Sequence, residues 1–139
     1  MREILFRGKR IDNGEWLEGS FLNDRDGSFY ICPAVSDISY GDGGNSRRIG
    51  CWYKVDPSTV GQYTGLNDKN GKRIFEGDVA KVLQGKNKDI AYVGFENGAF
   101  MLYPKTGNIY EKTLWEYWYN DWDVDVIGNI TDNPELLEK

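Results

Sequence analysis

The sequence predicts an all-β protein, and three observations carry that expectation. Its 17 glycines far outnumber its 4 prolines and fall between short stretches rich in β-branched and aromatic residues. Turn signals recur roughly every ten residues, the spacing of a small antiparallel barrel or sandwich. Asn97-Gly98 lies between two such stretches, and both residues accept the positive φ that a type I′ hairpin turn demands.

Residues 16–22 and 28–32 read as a pair of strands joined by Asn23-Asp24-Arg25-Asp26-Gly27, all residues that tolerate turn geometry. Residues 33–50 have little apolar periodicity and a Gly41-Asp42-Gly43-Gly44-Asn45 centre, which predicts a mobile surface loop. A strand at 51–55 runs into Asp56-Pro57, where proline enforces an extended or turning backbone. Residues 59–64 are strand-like, and Asn67-Asp68-Lys69-Asn70-Gly71 turns the chain. Another strand spans 78–83 and is closed by Gly85-Lys86-Asn87-Lys88. The hairpin 90–96/99–103 follows, and then a last strand around Val124, Val126 and Ile127. Near the end, Asn133 before Pro134 predicts one helical turn capped by the asparagine.

Several function classes fall away on composition. There is no histidine, which removes the usual general base, the common zinc ligand and any Ser-His or Cys-His pair. Cys32 and Cys51 are the only cysteines and lie outside any C-x-x-C spacing, so two free buried thiols are expected. No 20-residue apolar run exists to span a membrane, and the apolar part of the N-terminus is too short for a signal peptide. A cytoplasmic location is the expectation. The net charge of −5 is concentrated at one end. Residues 1–110 hold 15 basic and 14 acidic side chains, whereas residues 111–139 hold Lys112 and Lys139 against eight acids. That end repels duplex DNA, because phosphate binding needs clustered lysine and arginine.

One run is distinctive as a string. Residues 59–79, Thr-Val-Gly-Gln-Tyr-Thr-Gly-Leu-Asn-Asp-Lys-Asn-Gly-Lys-Arg-Ile-Phe-Glu-Gly-Asp-Val, resemble the central motif of the YopX-like family of phage and prophage proteins. Phe6-Arg7-Gly8-Lys9-Arg10 with Gly14-Glu15-Trp16-Leu17-Glu18-Gly19 is similar to that family's opening. Val126-Ile127-Gly128-Asn129-Ile130 with Asn133-Pro134-Glu135-Leu136 is similar to its close. The resemblance implies a small antiparallel SH3-like barrel over residues 57–139, preceded by a β-rich segment over residues 1–56. It implies no activity, substrate or catalytic residue. The stretch 115–122, Trp-Glu-Tyr-Trp-Tyr-Asn-Asp-Trp, departs from the family pattern.

The candidate binding residues lie in and just beyond that departing stretch. Trp115, Trp118 and Trp122 fall at i, i+3 and i+7, which stacks them on one face of a helix; a strand instead aligns Trp115 with Tyr117 and Tyr119. Beside them stand Asp121, Asp123 and Asp125. Clustered tryptophan next to carboxylates has the make-up of a protein-binding hot spot, although burial in the core is the commoner fate of an indole. The Asp-x-Asp-x-Asp spacing also opens a calcium loop, but Val126 stands where that loop needs glycine, and Asp132 stands where it needs a bidentate glutamate. In the central motif, glycines 65, 71 and 77 suit turns, and Asp78 suits a carboxylate bonding local amides ahead of a strand.

The sequence therefore predicts a non-enzymatic binding protein with no cofactor and no metal, acting on a protein partner. The alternative is a single-stranded nucleic-acid binder. Lys69, Lys72, Arg73, Lys81, Lys86 and Lys88 give residues 61–90 a surplus of two positive charges, and small barrels bind oligonucleotides through aromatic and basic surface. Self-association through sheet edges is compatible with either reading.

Overall fold

In the computed structural model, residues 2–33, 39–41, 46–48 and 52–138 are described, with 39–41 and 46–48 described as backbone only. The protein is almost entirely antiparallel β-structure and divides into two compact units between Gln62 and Tyr63.

The first unit contains strands β1 (Phe6–Lys9), β2 (Trp16–Asn23), β3 (Phe29–Pro33) and β6 (Tyr53–Val55), paired in the order β6-β3-β2-β1. The β2–β3 turn is the one expected from Asn23 to Gly27. Asp24 closes it by donating its amide to Ser28 and accepting from Gly27, which stands at φ 86°. The rings of Phe6, Phe21 and Phe29 are spaced at 5.2 and 5.1 Å beside the fully buried Ile31 and Val55. The sheet curls until Arg10 bridges Val55. Gly19 is required where β2 crosses β3, since a Cβ there would overlap the Cys32 carbonyl. Cys32 is a buried free thiol, and Cys51 lies outside the described residues.

The expectation of a loop over 33–50 needs correction. Two strands, β4 (Ser39–Gly41) and β5 (Ser46–Arg48), pair with each other inside it. Three-residue strands carry too little alternation to register in a sequence. The remainder of that segment lies outside the described residues. A 3-10 turn, Pro57–Thr59, occupies the start of what reads as a strand at 59, because Asp56 accepts the Ser58 amide and caps it. The strand itself, β7 (Gly61–Asn67), begins two residues later.

The second unit is a five-stranded sheet with a hairpin and one helix. Strands β9 (Asp78–Gln84), β10 (Asn87–Glu96), β11 (Ala99–Pro104), β12 (Lys112–Thr113) and β13 (Asp123–Asn129) pair in the order β12-β11-β10-β9-β13. The β10–β11 turn is the expected one, with Asn97 at φ 52° and Gly98 at φ 80°. Strand β8 (Arg73–Phe75) pairs with β7. Asp78 is buried and accepts the Phe75 amide at 2.8 Å, the backbone role its position suggested.

This unit is not the closed SH3-like barrel that the resemblance implies. Closure requires the edge strands β12 and β13 to pair. Helix α1 (Leu114–Tyr119) follows β12 without a gap and takes up the chain between the two edges. The outer edge of β13 is met by the β7–β8 turn instead, where Lys69 donates its amide to the Val124 carbonyl at 3.0 Å. The core between sheet, helix and hairpin contains Ile74, Val82, Ala91, Val93, Leu102, Leu114, Tyr117, Val124 and Val126. At the C-terminus, Pro134–Leu137 forms the expected single turn, but Asn133 does not cap it. Its side chain accepts the Asn129 amide instead.

Candidate functional site

Helix α1 is only six residues long, so propensity cannot hold it; its two ends and its buried face do. At the N-terminus, Thr113 Oγ1 accepts the Glu116 amide at 3.2 Å and also bonds the Glu116 carboxylate, a T-x-x-E capping pair. Lys112 adds an ion pair to Glu116 at 3.4 Å. At the C-terminus, Asp121 adopts φ 57° and donates its amide to Trp118, while Trp122 donates to Tyr117. This is a Schellman stop with aspartate where glycine is usual. Its accompanying apolar contact is the edge-on pair of Tyr117 and Trp122 rings, 5.1 Å apart. Tyr117 is wholly buried and donates its hydroxyl to the Tyr110 carbonyl at 2.8 Å. Burial, with the nearby Asp89 and Glu116 carboxylates, pushes its phenol up to about 12.

With Leu114 and Tyr117 facing inward, the other aromatic side chains of the helix face out. Trp115 is 55 % exposed and stacks on Tyr119, its i+4 neighbour, at 4.9 Å and 20°. Trp118 is 57 % exposed and makes no ring contact among the described residues. Trp122 is half-buried against the core, with the Lys112 ammonium 5.6 Å above its ring.

Trp118, Tyr119 and Trp122 form one wall of a cleft of about 620 Å³. The β7–β8 hairpin forms the other, through Leu66, Asn67, Asp68, Lys69 and Ile74. Leu114, Ile74 and Val124 give the cleft a buried apolar floor. The hairpin wall is fastened by Asp68, whose carboxylate accepts amides from Asn70, Lys72 and Val126. Among the described residues, the carboxylates of Asp121 and Asp123 have no hydrogen-bond or ion-pair partner, and neither do the Trp118 indole N–H and the Lys69 ammonium.

Four of the six residues singled out from sequence thus share this cleft: Trp118, Trp122, Asp121 and Asp123. Trp115 sits outside the lining, behind Tyr119. Asp125 is diverted, accepting from the Asn70 side chain at 3.0 Å. Asp123 and Asp125 alternate with the buried Val124 and Val126 along β13, whereas Asp121 belongs to the turn before it. The hairpin wall went unseen in the sequence, because nothing local marks Leu66, Lys69 and Ile74 as neighbours of residues fifty positions on. The helix did have a signal, Thr113-x-x-Glu116.

A second polar feature lies on the same unit. Asp89 Oδ2 accepts the Thr106 hydroxyl at 2.8 Å and the Asn108 amide at 3.1 Å, and Oδ1 accepts the Ile90 amide. Burial works to raise its pKa, but these donors outweigh it and hold the carboxyl below the usual carboxylate value. Lys81, Lys88 and Lys105 stand around it and line a hollow of about 290 Å³.

Two antiparallel sheets with one short capped helix beside an aromatic cleft define an all-β protein. The chain belongs to the YopX protein family, whose model matches residues 5–138. It is similar over 99 % of its length to the whole of protein EF1440 from Enterococcus faecalis, seen in a crystal structure, at 28 % identity and a TM-score of 0.68. Comparison with curated proteins finds no match. Among the described residues, no helix is long and apolar enough to cross a membrane.

Proposed function

We propose that the chain is a non-enzymatic binding protein that docks a protein partner in the cleft between α1 and the β7–β8 hairpin. The observation that carries this reading is the exposed Trp118 above an apolar floor, flanked by carboxylates that the fold does not use. Tryptophan is among the residues most enriched at binding hot spots, which sit in well-packed pockets. A phage or prophage setting, in the cytoplasm of a bacterial host, belongs to this reading and rests on the family.

A single-stranded nucleic acid is the second reading, favoured by the three lysines around the Asp89 hollow. The ionised Asp89 at its centre opposes a phosphate, so this reading ranks lower.

The test is retention of host proteins on the immobilised chain, compared with Trp118→Ala and with Tyr110→Ala. Tyr110 is an exposed tyrosine outside the cleft. A protein lost only with Trp118→Ala supports docking in the cleft. Retention by both variants removes the cleft as the site. Oligonucleotide binding that collapses as salt rises would favour the second reading.

A further inference from the structure

We propose that the occupant of the cleft is an extended peptide segment of the partner, with an arginine or lysine two positions from an apolar side chain. This rests on the cleft being the docking site. It adds the chemistry of what docks, and charge complementarity argues for it.

The cleft is lined by three carboxylates and one ammonium, from Asp68, Asp121, Asp123 and Lys69. The Asp68 carboxylate is spent on three backbone amides, whereas those of Asp121 and Asp123 have no partner among the described residues. Another cation on the helix side, Lys112, is already engaged by Glu116 at 3.4 Å and lies over the Trp122 ring. Asp121 and Asp123 set against the equally unpartnered Lys69 leave the cleft with a negative excess, and a ligand cation is the complement to it. The aromatic wall reinforces the choice, because the exposed Trp118 ring has no stacking partner among the described residues and offers a π-face on which a guanidinium can stack while it bonds a carboxylate. The floor of Ile74, Leu114 and Val124 asks for something apolar beside that cation. In an extended chain, side chains two positions apart project to the same side, so one segment delivers both.

The experiment selects displayed random heptapeptides on the immobilised full chain, then measures binding of the recovered peptides. The expected result is enrichment of arginine or lysine spaced two residues from an apolar residue. A recovered peptide should weaken at least about ten-fold on the Asp121→Asn/Asp123→Asn double variant and likewise on Trp118→Ala. Asparagine is chosen because it tolerates positive φ at position 121, and neither carboxylate makes a bond that the change would break. An independent readout needs no variant: raising sodium chloride about ten-fold should weaken the wild-type complex, as screening of partly exposed charges requires. Two results would overturn the proposal in different ways. Peptides that need Trp118 but contain no basic residue, or bind the double variant equally well, leave the cleft as the site and remove the cationic ligand. Failure to recover any peptide sensitive to Trp118→Ala removes the cleft reading, and this proposal with it.

Discussion

Asp68 and Val126, 58 residues apart in sequence, are joined by a 3.0 Å hydrogen bond in which the buried Val126 amide donates to Asp68 Oδ2. The other carboxylate oxygen holds its own turn, accepting the Asn70 and Lys72 amides at 2.9 Å each. One side chain thereby shapes the β7–β8 turn and ties it to β13, which fixes the spacing of the two cleft walls. Asp68→Ala leaves those donors without their acceptor in a mostly buried place. It should cost about 2–4 kcal/mol, read as a lower Tm. An unchanged Tm would show that water replaces the carboxylate without loss.

The Asn97-Gly98 turn gives the second prediction. A Cβ on Gly98 meets nothing within 4 Å, so any cost of a side chain there comes from the backbone, at φ 80°. Gly98→Val should destabilise by about 1–3 kcal/mol, because a β-branched residue opposes positive φ. Full stability in the valine variant would mean that the turn rearranges without penalty.

Why was this hairpin legible and the helix not? Asn97 and Gly98 are adjacent and each accepts the same uncommon φ, so the signal is local and complete. The strands 16–22, 78–83 and 90–96 were likewise marked by alternation and closed by turn residues. Helix α1 spans fewer than two turns, and over that length Trp115, Trp118 and Trp122 fit a helical stripe no better than Trp115, Tyr117 and Tyr119 fit a strand. What settles the matter is Thr113 capping Glu116 and the stop at Asp121. The open sheet was hidden for another reason. Whether β12 meets β13 depends on what stands between them in space, and the docking of Lys69 on Val124 is a contact across fifty-five residues of chain.

Asp121 gives the third prediction. A non-glycine residue at φ 57° stores a modest backbone cost, so Asp121→Gly should stabilise the protein by about 0.5–1 kcal/mol. The same change removes one of the two unspent carboxylates and should weaken capture of a cationic peptide. A variant that gains stability and keeps full binding would confine Asp121 to its role in the helix stop.

Stability should fall on both sides of neutrality for separable reasons. The folded pKa of Asp89 lies below its ordinary value of 3.8, so the unfolded chain takes up the proton first as acid is added. Its stabilising contribution is complete above the ordinary value and is lost as pH falls through the lower folded one. On the alkaline side, the hydrogen bond to Glu96 raises Tyr103, and burial raises Tyr117, each to about 12 from an ordinary value of 10. Here the folded chain holds its protons longer, so stability is full below the ordinary value and declines as pH climbs from there towards about 12. Unfolding midpoints against pH should show Asp89→Asn flattening the acid limb and Tyr103→Phe flattening part of the alkaline one. Limbs unaffected by either change would assign the pH dependence to other groups.

The two cleft tryptophans should separate binding from folding. Trp118 is 57 % exposed with no ring partner among the described residues, so Trp118→Ala removes little buried surface and should change stability by no more than about 0.5 kcal/mol. Trp122 packs edge-on against Tyr117 and against the core, so Trp122→Ala should cost about 2 kcal/mol or more. The two also differ in solution: acrylamide, which the neighbouring carboxylates do not repel as they repel iodide, should quench Trp118 emission more than that of Trp122. If Trp118 is the centre of the docking site, its alanine variant should lose about 2 kcal/mol or more of partner affinity while melting as the wild type does. Loss of folding in Trp118→Ala would make that indole part of the core. Retention of both folding and binding would move the site away from the cleft, with the lysine-lined hollow around Asp89 the next surface to examine.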